Sequence, residues 1–86
     1  MDAKKLGKKI KLARIEKDMT QGNLAEATQT QQKAISRYET GLAIPSIETL
    51  MKIAKALKKT AGYFLDDWLN FRSGFITNFL MFFVNH

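Results

Sequence analysis

Apolar positions recur at helical spacing along most of the chain. Leu6, Ile10 and Ala13 fall at intervals of four and three and make one stripe of a first helix that Asp2 can cap and that runs to about residue 17. Leu12 and Ile15 lie off that stripe. Met19 precedes Thr20, a good N-cap, as a hydrophobic staple would. A short second helix then runs from Gln21 to about Thr28, with Leu24 and Ala25 facing inward. Gln29-Thr30 reads as a tight turn, and Thr30 as the cap of a third helix from about Gln31 to Thr40. Its inner face is Ala34, Ile35 and Tyr38, and Gly41 is placed to end it in a left-handed conformation. Ser46, after Pro45, caps a fourth helix in which Ile47, Leu50, Ile53, Ala54 and Leu57 form a clean amphipathic pattern to about Lys58. Thr60 opens a fifth helix carrying Tyr63, Phe64, Leu65 and Trp68. No two-residue alternation precedes residue 75, so the pattern predicts an all-α fold.

Length and charge narrow the function. Eighty-six residues make one domain with one small core. Fourteen Lys and Arg against eight Asp and Glu leave a net charge of +6, which favours polyanionic partners, nucleic acid ahead of an anionic membrane. The chain has no cysteine, which excludes a disulfide framework and a thiolate metal site. Its lysine-rich start has no apolar run, so no signal peptide is expected and a cytoplasmic protein is. The single histidine is His86, and there is no Ser/His/acid set, phosphate-binding glycine loop or metal-ligand cluster. No enzymatic step and no cofactor are expected. Asp66-Asp67 reads as a solvating group at a helix end.

The third helix carries the chemistry. Opposite its apolar face it presents Gln32, Lys33, Ser36, Arg37 and Thr40. A helix that reads DNA enters the major groove and offers donors and acceptors to base edges; glutamine amides pair with adenine and arginine with guanine. Gln31 and Gln32 lie in the first turn, Ser36 and Arg37 one turn later, and Lys33 reaches a base or a phosphate. Phosphate contacts must fix the register of such a helix. Thr20 and Gln21, at the start of the second helix, are candidates for that role, together with Lys33 and Thr40.

In order and spacing, Ile10-x3-Arg14, Met19-Thr20-Gln21, Leu24-Ala25-Glu26, Ile35-Ser36-Arg37-Tyr38-Glu39-x-Gly41, Pro45-Ser46 and Leu50-x2-Ile53-Ala54-x2-Leu57 resemble the Cro/cI-type helix-turn-helix family, also called the xenobiotic-response-element family of bacterial and phage regulators. The resemblance spans about Leu6 to Leu65. It implies a compact five-helix, lambda-repressor-like DNA-binding domain, with helices 2 and 3 as the reading unit, and a dimer on a palindromic operator. It also implies that Arg14 pairs with Glu39. The Thr30-Gln31-Gln32 start is similar to that of a lambdoid phage repressor whose glutamines read the operator. That similarity puts Gln32, Lys33 and Arg37 first as base contacts and Gln31 next. At the turn the chain departs from the family: Gln29 stands where glycine is common, and Thr30 where a small aliphatic residue is.

After Asp67 the composition changes, so the domain is expected over residues 1–67 and an apolar tail over 68–86. Trp68 to Val84 holds one charge, Arg72, and Phe71, Phe75, Phe79 and Phe82 recur at spacings of four, four and three. This stretch is interrupted by polar residues and is shorter than the ~20 residues of a membrane-spanning helix. An apolar surface of this kind needs cover. Homodimerisation through Trp68, Phe71, Phe75, Phe79 and Phe82 is the favoured use, with folding back, a protein partner or a membrane surface as the alternatives. The function expected is a sequence-specific regulator of transcription, a repressor. The alternative is a protein-interaction module, such as an antitoxin or a bridging coactivator, whose tail binds a partner.

Overall fold

A computed structural model describes residues 2–71, with side chains described for residues 3–69. Five α-helices follow in order: α1 Asp2–Glu16, α2 Gln21–Ala27, α3 Gln32–Thr40, α4 Ile47–Ala56 and α5 Ala61–Phe71. No strand occurs among the described residues. The core is a single cluster in which Leu6, Ile10, Leu24, Ile35, Leu50, Ile53, Leu57 and Phe64 are fully buried. These are the apolar positions of the helical stripes, so the periodicity alone places most of the core. Helix α1 packs along both α3 and α5, and α2 packs on α3 and α4.

Several boundaries differ from the sequence reading. Helix α1 begins at Asp2 itself, so Asp2 is its first residue and not the cap before it. Helix α4 ends at Ala56, because Leu57 is its cap and Lys58 turns left-handed at φ 56°. The cap of α3 is Gln31 in extended conformation, with no side-chain bond, and not Thr30. The reason lies in how α2 closes. Gln29 takes φ 57°, and the Thr30 amide donates back to the Ala25 carbonyl at 2.8 Å. Thr30 is thereby drawn into the end of α2, where its hydroxyl meets that of buried Thr28 at 2.9 Å. Only the next residue is free to start α3.

The ends of α1, α2 and α4 all close with a left-handed residue that is not glycine: Asp18, Gln29 and Lys58. Among the described residues glycine takes this role only at Gly41, φ 81°. A Cβ there would lie 2.8 Å from Lys4 Cγ and 3.0 Å from its Cα. Close approach of α1 therefore adds to the backbone reason for glycine.

Gly7 is a second contact point, in mid-helix, where glycine costs roughly 1 kcal/mol relative to alanine. A Cβ on it would lie 2.2 Å from the Tyr38 carbonyl oxygen and 2.7 Å from that of Glu39. The missing side chain lets α1 sit directly on the last turn of α3.

Polar groups also hold the helices together. Asp67, expected as a solvated helix-end group, is 3% exposed. Lys9 Nζ lies 3.2 Å from its Oδ2 and Lys5 Nζ 3.7 Å from its Oδ1. Oδ2 has no directed hydrogen bond among the described residues, and Lys9 compensates its charge there. Lys9 and Lys59 also lie over the Tyr63 ring, at 4.4 and 4.7 Å from its centroid. The boundary expected between residues 67 and 68 falls inside α5. Trp68 packs against the core, and its indole N–H donates to the Pro45 carbonyl at 2.9 Å. Leu12 and Ile15, off the stripe, are exposed. Of the residues assigned to dimerisation, Phe71 is the last of α5, while Phe75, Phe79 and Phe82 lie outside the described residues.

Candidate nucleic-acid interface

Helix α2 is the first half of the site, and its start is tightly specified. Thr20 Oγ1 accepts from the Asn23 amide at 2.9 Å, and the Thr20 amide donates to Asn23 Oδ1 at 2.9 Å. This is a capping box with asparagine in the place usually held by Glu or Gln. The Thr20-x2-Asn23 spacing was its available sequence signal. The Thr20 hydroxyl accepts within the box, and its own proton is left to donate outward.

Helix α3 is oriented by a polar network beneath it. Arg14 grips Glu39 bidentately, Nε to Oε2 at 2.6 Å and Nη2 to Oε1 at 3.1 Å. Its third nitrogen donates to the Met19 carbonyl at 2.7 Å. The Glu39 side chain is 2% exposed and that of Arg14 is 11% exposed. Glu39 Oε1 accepts a further bond, from Gln21 Nε2 at 3.0 Å. A carboxylate only accepts, so the amide nitrogen of Gln21 must face it, leaving the other N–H of that nitrogen free. One buried carboxylate thus ties α1, the start of α2 and the end of α3 together. The structure places Arg14 and Glu39 side by side; the link to Gln21 was not legible from the sequence.

The outer face of α3 stands away from this network. Gln31, Gln32, Lys33, Arg37 and Thr40 are exposed, and Ser36 is half-buried. Among the described residues, no hydrogen bond or ion pair engages the side chains of Gln31, Gln32, Lys33 or Arg37. Gln32 sits beside the first turn of α2: a Cβ on Gly22 would lie 3.6 Å from Gln32 Oε1 and 3.7 Å from Thr20 Oγ1. A base-edge candidate and a phosphate candidate are thereby neighbours. Thr40 is engaged elsewhere, its hydroxyl donating to the Ser36 carbonyl at 3.0 Å. The face therefore offers amides, a guanidinium and an ammonium with no partner among the described residues, on a helix with a buried back.

The helix-turn-helix family model matches residues 10–64, from the middle of α1 into α5. The chain belongs to the helix-turn-helix family. Two crystal structures of the clp gene regulator ClgR from Corynebacterium glutamicum are similar to this helix-turn-helix protein. One is 26% identical with a TM-score of 0.71 and covers 81% of this chain and 91% of that one. The other is 23% identical with a TM-score of 0.73 and covers 98% of this chain and 89% of that one. No curated protein sequence matches. The five-helix fold is that of helix-turn-helix DNA-binding transcriptional regulators, with α2 and α3 as the motif. Among the described residues no group of acidic, His or Cys side chains could hold a metal ion, and no helix is long and apolar enough to cross a membrane.

Proposed function

We propose that this protein is a sequence-specific double-stranded DNA-binding regulator of transcription, a cytoplasmic repressor with no enzymatic step. The observation that carries the reading is the outer face of α3, where Gln31, Gln32, Lys33 and Arg37 are exposed, without partners among the described residues, above a buried ion pair. Gln32, Lys33 and Arg37 contact base edges, with Gln31 and Ser36 beside them. Thr20, Gln21 and Lys33 contact phosphates, and Thr40 joins them once its hydroxyl turns from the Ser36 carbonyl. The free N–H of Gln21 is aimed by Glu39, which suits a phosphate contact that sets register and carries no sequence information. The likeness to ClgR, a clp gene regulator, supports a role in gene control here. The protein acts as a homodimer on a palindromic operator, with two α3 helices in successive major grooves about 34 Å apart, and the apolar tail from Phe71 onward joins the two copies.

Gel-shift titrations of Gln32→Ala test the base assignment. The variant should lose about 1–3 kcal/mol of discrimination at one base pair in each half-site, while Gln21→Ala weakens all sequences alike. Unchanged affinity and unchanged preference in Gln32→Ala would remove Gln32 from the readers.

A further inference from the structure

The lysines of α1 divide by where they point. Lys5 and Lys9 are turned toward α5 and held by Asp67. Lys4 is exposed and has no carboxylate partner among the described residues. Its stem lies against the end of α3, since a Cβ on Gly41 would be 2.8 Å from Lys4 Cγ and 3.1 Å from its backbone nitrogen. Gly7, on the same helix, fixes this position by resting on the Tyr38 and Glu39 carbonyls.

Lys8, one turn along α1, is also exposed, but the chain next to Gly41 brings no positive charge of its own. The segment that follows α3, residues 42–46, is Leu-Ala-Ile-Pro-Ser and carries no charge. Thr40, the last residue of α3, has its hydroxyl proton engaged with the Ser36 carbonyl. Phosphate contacts fix the register and orientation of a reading helix, and contacts on either side of it would hold it most firmly. At the α2 side, Thr20 and Gln21 are available. At the other end, Lys4 is the exposed cation beside Gly41.

We infer that Lys4 is a phosphate-contacting residue, brought from α1 to the C-terminal end of α3 to grip the duplex backbone there. This rests on the proposed DNA-binding function and adds a contact to it. The lysine stem covers Gly41 and the ammonium extends beyond it. A purely structural role is the other use of such a lysine, because a cation near a helix C-terminus also stabilises the helix dipole. The two roles differ in salt dependence.

The test is a salt titration of the full chain on a random-sequence DNA duplex, alongside thermal unfolding. Lys4→Met keeps the stem over Gly41 and removes the charge, and Lys4→Arg keeps the charge. Lys55→Gln removes an exposed lysine on α4. One lost phosphate contact lowers the log–log salt slope by about 0.9. Over a fourfold rise in salt, wild type should therefore lose about 3.5-fold more affinity than Lys4→Met for each bound protomer, or about 12-fold for a bound dimer. Lys4→Arg and Lys55→Gln should keep the wild-type slope. A wild-type slope in Lys4→Met, or an equal drop in Lys55→Gln, overturns the assignment of Lys4 while leaving DNA binding in place. A wild-type chain with no salt-dependent duplex binding overturns the proposed function itself.

Discussion

Glu39→Ala should destabilise the fold by about 3–5 kcal/mol, the range for removing one partner of a buried ion pair. Three bonds end on this carboxylate, two from Arg14 and one from Gln21. Without it, a guanidinium only 11% exposed is left without its counter-charge. At a few degrees per kcal/mol, the midpoint of thermal unfolding should fall by at least about 12 °C. Urea denaturation should show a lower midpoint with a similar slope. The pair between Lys59 and Glu16 makes the contrast: the Glu16 side chain is 61% exposed, and such surface pairs contribute about 0–1 kcal/mol. Replacing both buried partners, as in Arg14→Met with Glu39→Leu, should restore most of the stability, because apolar groups of similar volume remove the desolvation cost. The double variant should still bind DNA less tightly, since Gln21 has lost the group that aims it. Equal stability of Glu39→Ala and wild type would mean that the network does not hold the helices.

Gly7→Ala should destabilise by about 1–3 kcal/mol or more, as overpacking does. The sign is informative, because alanine is otherwise the better helix former by roughly 1 kcal/mol. Here the added Cβ meets the Tyr38 and Glu39 carbonyl oxygens at 2.2 and 2.7 Å and the Glu39 carbonyl carbon at 2.8 Å. These are backbone atoms of α3 and cannot rotate aside. Helix α1 must back away from α3, which also displaces Arg14 from Glu39 and Lys4 from Gly41. DNA affinity should fall along with stability. Gly62 is the control: it is exposed in α5 and a Cβ there meets nothing within 4 Å. Gly62→Ala should stabilise by roughly 0.5–1 kcal/mol. Chemical denaturation of both variants reads the two signs; stabilisation by Gly7→Ala would show that α1 does not pack on α3 at this point.

The sequence made local structure readable and left cross-helix partnerships dark. Thr20, Ser46 and Gly41 terminate helices through bonds to residues within a few positions, so their roles follow from spacing. The apolar stripe of α4 buries Leu50, Ile53 and Ala54 as its period requires. The polar outer face of α3 was legible for the same reason: once Ile35 is buried, its opposite side must be exposed. The pairing of Arg14 with Glu39 followed from the family resemblance and not from the pattern, because the two are 25 residues apart. Nothing local shows that Asp67 turns inward, since its partners Lys5 and Lys9 lie at the other end of the chain. Gly7 gave a faint signal, a glycine kept within a helix against its propensity cost. The shift of the α3 cap from Thr30 to Gln31 arose from a three-dimensional closure, the Thr30 amide returning to Ala25. Lys4 could not be told from its neighbouring lysines until the packing of α1 on α3 sorted them.

The most direct measurement is selection of bound sequences from a pool of random DNA duplexes by the intact chain, followed by competition against a scrambled duplex at matched salt. The expected result is one two-fold symmetric sequence, with half-site centres about 34 Å apart, bound with a Kd of about 10⁻⁸ M or tighter and at least about a thousandfold above the scrambled duplex. Recovery of no common sequence, or equal affinity for selected and scrambled duplexes, would contradict sequence-specific reading by α3.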